Sequence, residues 1–234
     1  MVHWTWETER SMQEDLNAQQ QFWDATFARR PEMFGEAPSD PARSALEAFR
    51  AERRANILEL GGGQGRDTLF FARKGLRVTM LDYAQSAVDA VNAKAAAAGL
   101  RGLVSALQHD VREPLPFEDA AFDGCYSHML YCMAINDEEV ARLSREIWRV
   151  LKPGGLNIFT VRHTGDPHYG AGTHHGGQMW ETGGFIVNFF DRTKVVRVAE
   201  GYEILGIDEF EEGGMPRKLF RVTLRKLEDM LKTA

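Results

Sequence analysis

The chain has 234 residues, of which 44% are hydrophobic and 26% charged, and its formal net charge is -6. At about 100–200 residues per domain, that length is one large domain or one domain carrying an insertion. A mildly acidic chain without a basic block is poorly suited to a nucleic-acid backbone or to an anionic membrane surface, so neither is the expected partner.

The only two cysteines, Cys125 and Cys132, lie in an apolar stretch and form no C-x-x-C pair. A disulfide framework is therefore not expected, and a reducing cytoplasm is the expected compartment. The opening Met-Val-His-Trp-Thr-Trp-Glu lacks an apolar signal core, and no run approaches the ~18 apolar residues of a membrane span.

In chain order, residues 1–50 read as a helical lead-in, carrying Phe22, Trp23 and Phe27 and a turn-rich break over residues 33–39. A helical pattern resumes over residues 44–54. From Asn56 short apolar runs alternate with helical stretches. The predicted strands are Ile57–Leu60, Arg77–Asp82, Val104–Asp110, Phe122–Met129 and Leu156–Arg162. The predicted helices are Arg66–Lys74, Ala84–Ala98 and Asp137–Leu151, the last with Val140, Leu143, Ile147 and Val150 on one stripe. This alternation predicts an α/β fold, a doubly wound parallel sheet with helices on both faces.

Residues 163–184 are rich in glycine and histidine and break the rhythm, which reads as a long loop acting as lid or binding loop. A helix over Asp191–Glu200 follows. Glu203–Phe210 and Leu219–Lys226, joined by Glu-Glu-Gly-Gly-Met-Pro, read as an antiparallel hairpin. The expected organisation is a lead-in or lid over 1–50 and a main domain over 51–234 with an insertion at 163–190.

The chemistry begins at Glu59-Leu60-Gly61-Gly62-Gly63-Gln64-Gly65. Glycines between a strand and a helix let the backbone turn sharply and let a ligand approach where a Cβ would stand. The helix start behind them offers free N–H groups. A dinucleotide fingerprint, G-x-G-x-x-G, would put its third glycine at position 66, which is Arg66. Asp82 ends the second strand, where a carboxylate can accept both hydroxyls of a ribose. Asp110-Val111 ends the third, where an acid can accept from an amino group while the valine packs a ring. Each acid alone would read as a cap or turn former; three such features at successive strand ends mark a ligand crevice.

On these residues the chain resembles the class I (seven-stranded) S-adenosylmethionine-dependent methyltransferases. Residues 59–65 resemble that family's first motif, Asp82 its ribose-binding acid and Asp110-Val111 its adenine-binding pair. Val150-Leu151-Lys152-Pro153-Gly154-Gly155-Leu156 is similar to its approach to strand five. The resemblance covers residues ~20–226. It implies strand order 3-2-1-4-5-7-6 with strand seven antiparallel, S-adenosyl-L-methionine as cofactor, and methyl transfer to a small molecule. The cofactor-binding set expected is Glu59, Gly61, Gly63, Gly65, Asp82, Tyr83, Asp110, Val111 and Ser127. A narrower similarity, over Gly183–Phe190, Glu200–Glu203 and Glu211–Arg221, is to the tellurite-resistance branch, which implies a thiol or chalcogen oxyanion as acceptor.

Methyl transfer is an in-line displacement at a sulfonium carbon, so the protein mainly positions and desolvates the partners. A base is needed only for an acceptor that carries a proton. His128, after strand four, and His163, after strand five, are the candidate catalytic residues. Tyr169, Trp180 and Arg217 are the candidate acceptor pocket. His163, His168, His174 and His175 lack a helical i, i+4 pair and a nearby cysteine, so no metal site is expected. A homodimer is one expectation for the aromatic N-terminal segment. The competing classes are a nicotinamide-dependent oxidoreductase, a methyltransferase of macromolecules and a non-catalytic cofactor-binding module.

Overall fold

The computed structural model describes residues 6–213 and 217–228, with side chains from residue 18 onward. Two helices lead in, α1 (Trp6–Arg29) and α2 (Asp40–Ala51). The alternating core follows as β1 (Asn56–Leu60), α3 (Arg66–Arg73), β2 (Arg77–Asp82), α4 (Gln85–Ala97), β3 (Val104–Gln108), β4 (Phe122–His128), α5 (Asp137–Val150) and β5 (Leu151–Arg162). Then come β6 (Thr173–His174), β7 (Met179–Thr182), β8 (Phe185–Asn188), α6 (Arg192–Val198), β9 (Tyr202–Glu212) and β10 (Arg217–Lys226).

Seven strands form one sheet in the order β3-β2-β1-β4-β5-β10-β9. β1 to β5 pair in parallel, and β10 runs antiparallel to both β5 and β9. This is the expected 3-2-1-4-5-7-6 arrangement, with β9 and β10 as its sixth and seventh strands. Alternation of side chains along each strand splits the core between the two faces. Ile57, Tyr126 and Ile158 pack with Phe49 of α2 and Phe71 of α3, while Leu58, Cys125 and Phe159 pack with Leu143 and Ile147 of α5. Local signals fix the helix starts. Ser39 caps α2 by accepting from Ala42 N, and Asn136 with Glu139 forms a capping box on α5.

The insertion differs from the loop expected. β6, β7 and β8 make a second, three-stranded antiparallel sheet. Thr182 pairs with Phe185 across Gly183-Gly184, whose φ values of 63° and 84° are those of a tight two-residue hairpin turn. The hairpin turns Phe185 onto α1, with ring centroids 4.8 Å from Phe22 and 5.1 Å from Trp23. Among the described residues no helix is long and apolar enough to cross a membrane, and no group of His, Cys, Asp and Glu is placed to hold a metal ion.

Candidate active site

The parallel register brings the carboxyl ends of β1, β2, β3 and β4 to one edge, where open α/β sheets bind ligands. A cavity of about 380 Å³ lies there. Its floor is the loop after β1. Gly61 and Gly63 take φ of 67° and 52°. A Cβ on Gly61 would stand 2.9 Å from the Leu130 side chain, and one on Gly62 2.5 Å from that of Met80, so a side chain at either position would push these neighbours aside. Gly65 does not line the cavity. It starts α3 at φ 84° and lets Val91 approach, where a Cβ would come within 2.6 Å.

Asp82 is buried at the end of β2. Its Oδ2 accepts from Gly63 N at 2.9 Å and its Oδ1 from Ala84 N at 3.0 Å. These bonds fix the carboxylate's plane and leave further lone pairs toward the cavity. Burial raises its carboxyl to about 6, against the two N–H groups that favour the charge. Glu59, on β1, is also buried and lines the cavity. Burial, then the charge of Asp67, pushes its carboxyl to about 8, and its Oε2 has no hydrogen-bond partner.

Past β3, His109, Asp110, Val111 and Arg112 form one wall. Arg112 clamps Asp110, with Nε 3.0 Å from Oδ1 and Nη2 2.6 Å from Oδ2. Burial opposes ionisation of Asp110, but the guanidinium outweighs it and holds the carboxyl below the usual range. The side-chain Nε2 of His109 is buried without a partner.

The opposite wall is His128, Met129, Leu130 and Met133. His128 Nδ1 lies 2.8 Å from Thr160 Oγ1, which also accepts from Met129 N at 2.9 Å, and Met129 takes a left-handed φ of 63°. That turn carries the chain from β4 across the cavity mouth. Glu212 Oε1 sits 3.3 Å from His128 Nε2, off the line of a hydrogen bond. His128, with Arg217 and Arg66, holds the Glu212 carboxyl below its usual range despite partial burial.

α1 closes the top, with Trp23 and Phe27 facing the cavity beside Phe34. Asp24 accepts from Ser86 N at 2.9 Å and from Ser86 Oγ at 2.7 Å, capping the start of α4. Gln64 donates to the carbonyls of Phe27 and Arg30 and accepts from Met33 N, so the floor holds the roof.

Of the residues singled out from sequence, Glu59, Gly61, Gly63, Asp82, Tyr83, Asp110, Val111, His128 and Arg217 share this cavity. The others lie outside its walls. Ser127 points from β4 into the buried interior. His163 stacks on Phe220 at 4.5 Å, accepts from Gly165 N at 2.9 Å, and is held by burial below the usual imidazole range. Trp180 stacks on His174 at 4.4 Å, and Tyr169 packs against Trp180 and Phe189, all at the insertion. Sequence reading did not single out Gln64, Arg66, His109, Arg112, Met133 or Glu212. His109 adjoins the recognised Asp110. Arg66 and Glu212 carried no local signal, because only the sheet order joins α3 to the end of β9.

Residues 57–155 match the family model of a methyltransferase domain. An N-methyltransferase, vrtF, of Penicillium aethiopicum is 27% identical over 140 residues, 56% of each chain. The chain spans about half the length of the curated relatives it matches. Among solved structures, the 1,6-didemethyltoxoflavin-N1-methyltransferase of Burkholderia thailandensis, with bound 1,6-didemethyltoxoflavin and S-adenosylhomocysteine, has a TM-score of 0.73 at 20% identity. That match covers 92% of this chain and 90% of that one. TehB from Haemophilus influenzae has a TM-score of 0.64 at 17% identity, covering 87% and 67%. Residues 57–155 are thus similar to a methyltransferase domain, and the sheet order with the glycine loop gives the chain the fold of the class I (seven-stranded) S-adenosylmethionine-dependent methyltransferases.

Proposed function

We propose that this chain is an enzyme that binds S-adenosylmethionine and transfers its methyl group to a small-molecule acceptor. The observation that carries this reading is Asp82. Its carboxylate is fixed by Gly63 N and Ala84 N at the edge of the glycine floor, in the same cavity as His128. A carboxylate so held can accept from two vicinal hydroxyls without reorganising. The unpartnered Glu59 Oε2, buried on the same wall, suits a cationic donor such as an amino group. Val111 offers an apolar surface for a ring.

When bound, the cofactor supplies an electrophilic methyl and a neutral leaving group. The chain's own part is to align and to exclude water. Trp23, Phe27 and Phe34 cover the cavity, and Leu130 and Met133 line its acceptor side. His128, fixed through Thr160, is the group we assign to receive a proton from an acceptor that carries one. A volume of about 380 Å³ suits a small molecule, and the net charge of -6 disfavours nucleic acid. For the acceptor atom we favour a thiol or a chalcogen oxyanion, in line with the soft wall of Met129 and Met133.

Calorimetric titration with S-adenosylhomocysteine, with NADH as control, tests the reading. Micromolar binding of the first and none of the second is expected, followed by methylated product in a screen of small thiols and selenium or tellurium oxyanions. Preference for NADH would make the chain a nicotinamide enzyme instead.

A further inference from the structure

At the outer end of the cavity three nitrogen donors from three elements converge on one carboxylate. Glu212, at the end of β9, has Oε1 3.3 Å from His128 Nε2 and 3.8 Å from Arg66 Nη2, and Oε2 3.7 Å from Arg217 Nη2. None of these is a close, aligned hydrogen bond. Elsewhere the same chain saturates its guanidiniums: Arg112 lies 2.6 Å from Asp110, and Arg149 2.7 Å from Glu146. Besides Glu212, Arg66 has the Phe34 carbonyl at 3.5 Å and Asp67 Oδ1 at 3.7 Å, and Arg217 has Met129 Sδ at 4.0 Å. Asp67 is itself taken up by Ser39 N, Ser39 Oγ and Tyr126 Oη.

Each guanidinium has five N–H donors, few of them with a close protein acceptor among the described residues, and both line the cavity. Two guanidiniums, Arg66 and Arg217, share the one carboxylate of Glu212 at this end, while Asp67 beside Arg66 is turned to Ser39 and Tyr126. Glu212 is held loosely, on the last pair of the outermost hairpin, where it is in register with Arg217. Its carboxylate stands where a ligand's anion would be drawn.

We propose that the methyl acceptor is a small anion, whose carboxylate or other oxyanion binds between Arg66 and Arg217 and displaces Glu212 from the place it holds in the free chain. The inference rests on the methyltransferase reading and names its substrate class. Displacement also uncovers His128 Nε2, since Nδ1 is occupied by Thr160. With the ring held by Thr160, the uncovered nitrogen then faces the acceptor. Glu212 acts here as a positioning residue that keeps the site closed until an anion competes for the two arginines.

The test is calorimetry on the full chain saturated with S-adenosylhomocysteine, titrated separately with 3-mercaptopropionate, selenite and the neutral 3-mercaptopropionamide. At least one anion binds, and the amide binds at least about tenfold more weakly than the thiol carboxylate, as expected for loss of a charge-assisted pair. Arg66→Gln and Arg217→Gln each weaken the anion about tenfold, and Glu212→Gln tightens it several-fold by removing the internal competitor. Arg221→Gln, which pairs with Asp208 away from the cavity, changes nothing. Which anion binds identifies the oxyanion type. The inference is overturned if neither anion binds, if the amide binds as well as the acid, or if Glu212→Gln weakens binding. Each variant is first titrated with S-adenosylhomocysteine. If that ligand binds and the anions fail, this inference alone falls; if it does not bind to the wild type, the methyltransferase reading falls.

Discussion

At the scale of single residues, Asp82 and His128 do different work in one cavity, and their variants separate. Asp82 is buried and its carboxyl sits near 6. In its ionised form it accepts from ligand hydroxyls, so protonation removes the acceptor. The part of S-adenosylhomocysteine affinity that Asp82 supplies is expected to be constant above about pH 7 and to be lost as pH falls through about 6. Asp82→Asn should weaken it by about tenfold or more at pH 7.5. Titrations from pH 5 to 8 check both, and an unchanged affinity in the variant removes the ribose role. His128 faces the acceptor side. His128→Ala should lower turnover on a proton-bearing acceptor by roughly 10²-fold or more and leave S-adenosylhomocysteine affinity within about threefold, a difference well under one tenfold step. Equal loss of both would make the histidine a structural part. His163 lies under Phe220 and outside the cavity, so its replacement should affect neither.

Among the elements, the roof is the one whose stability is tied to ligand exchange. α1 is held by a few contacts of different kinds: the Asp24 cap on Ser86, Gln20 to the Tyr83 carbonyl at 3.0 Å, the Gln64 bonds from the floor, and Phe22 and Trp23 against Phe185 of β8. Elements fixed by few buried contacts open locally at low cost. Phe185→Ala removes the ring contacts of Phe185 with Phe22 and Trp23 of α1. It should raise amide exchange in α1 and speed S-adenosylhomocysteine dissociation several-fold, while exchange in β1, β2 and β4 stays unchanged. Stopped-flow dissociation with exchange mass spectrometry reads both quantities. Faster dissociation without faster exchange in α1 would assign Phe185 a role at the ligand rather than at the roof.

Across the whole molecule, what the sequence discloses is what is local. The strands from β1 to β5 each carry an apolar stretch, and the ligand-facing acids sit at or just past strand ends, so Asp82 and Asp110 are legible with the sheet. The insertion was less so. β7 is only Met179, Trp180, Glu181 and Thr182, with Met179 buried and the other three half-buried, and so short a strand has too little periodicity to outweigh the glycines around it. Its one clear signal, Gly183-Gly184 as a hairpin turn, is meaningful only with strands on either side. Long-range pairs such as Glu212 with Arg66 depend on β10 returning between β5 and β9, which no local pattern encodes.

The buried acids also set how the whole fold responds to pH. Glu59 has its carboxyl raised to about 8 by burial, against an ordinary value of 4.5. Between these values the folded chain keeps a proton that the unfolded chain has lost, so this group's contribution to stability falls as pH rises from about 4.5 to 8. Asp82 adds the same slope between 3.8 and about 6. Asp123 and Asp166, each with its carboxyl held low by a cationic partner's hydrogen bonds in spite of burial, act oppositely: the stability they give is lost as pH falls below the usual carboxylate range. The ligand-free chain is therefore expected to be most stable on the acid side of neutrality and to lose Tm from about pH 5 to 8. Glu59→Gln removes the largest part of that slope. It should match the wild type near pH 5 and melt a few degrees higher at pH 8, while binding S-adenosylhomocysteine more weakly because it cannot carry the charge that an amino group attracts. Thermal scans across pH, with and without S-adenosylhomocysteine, measure this directly. A variant that melts lower than the wild type at pH 8 would mean that Glu59 is ionised and paired in the folded chain, and that the cavity is already charged before a ligand enters.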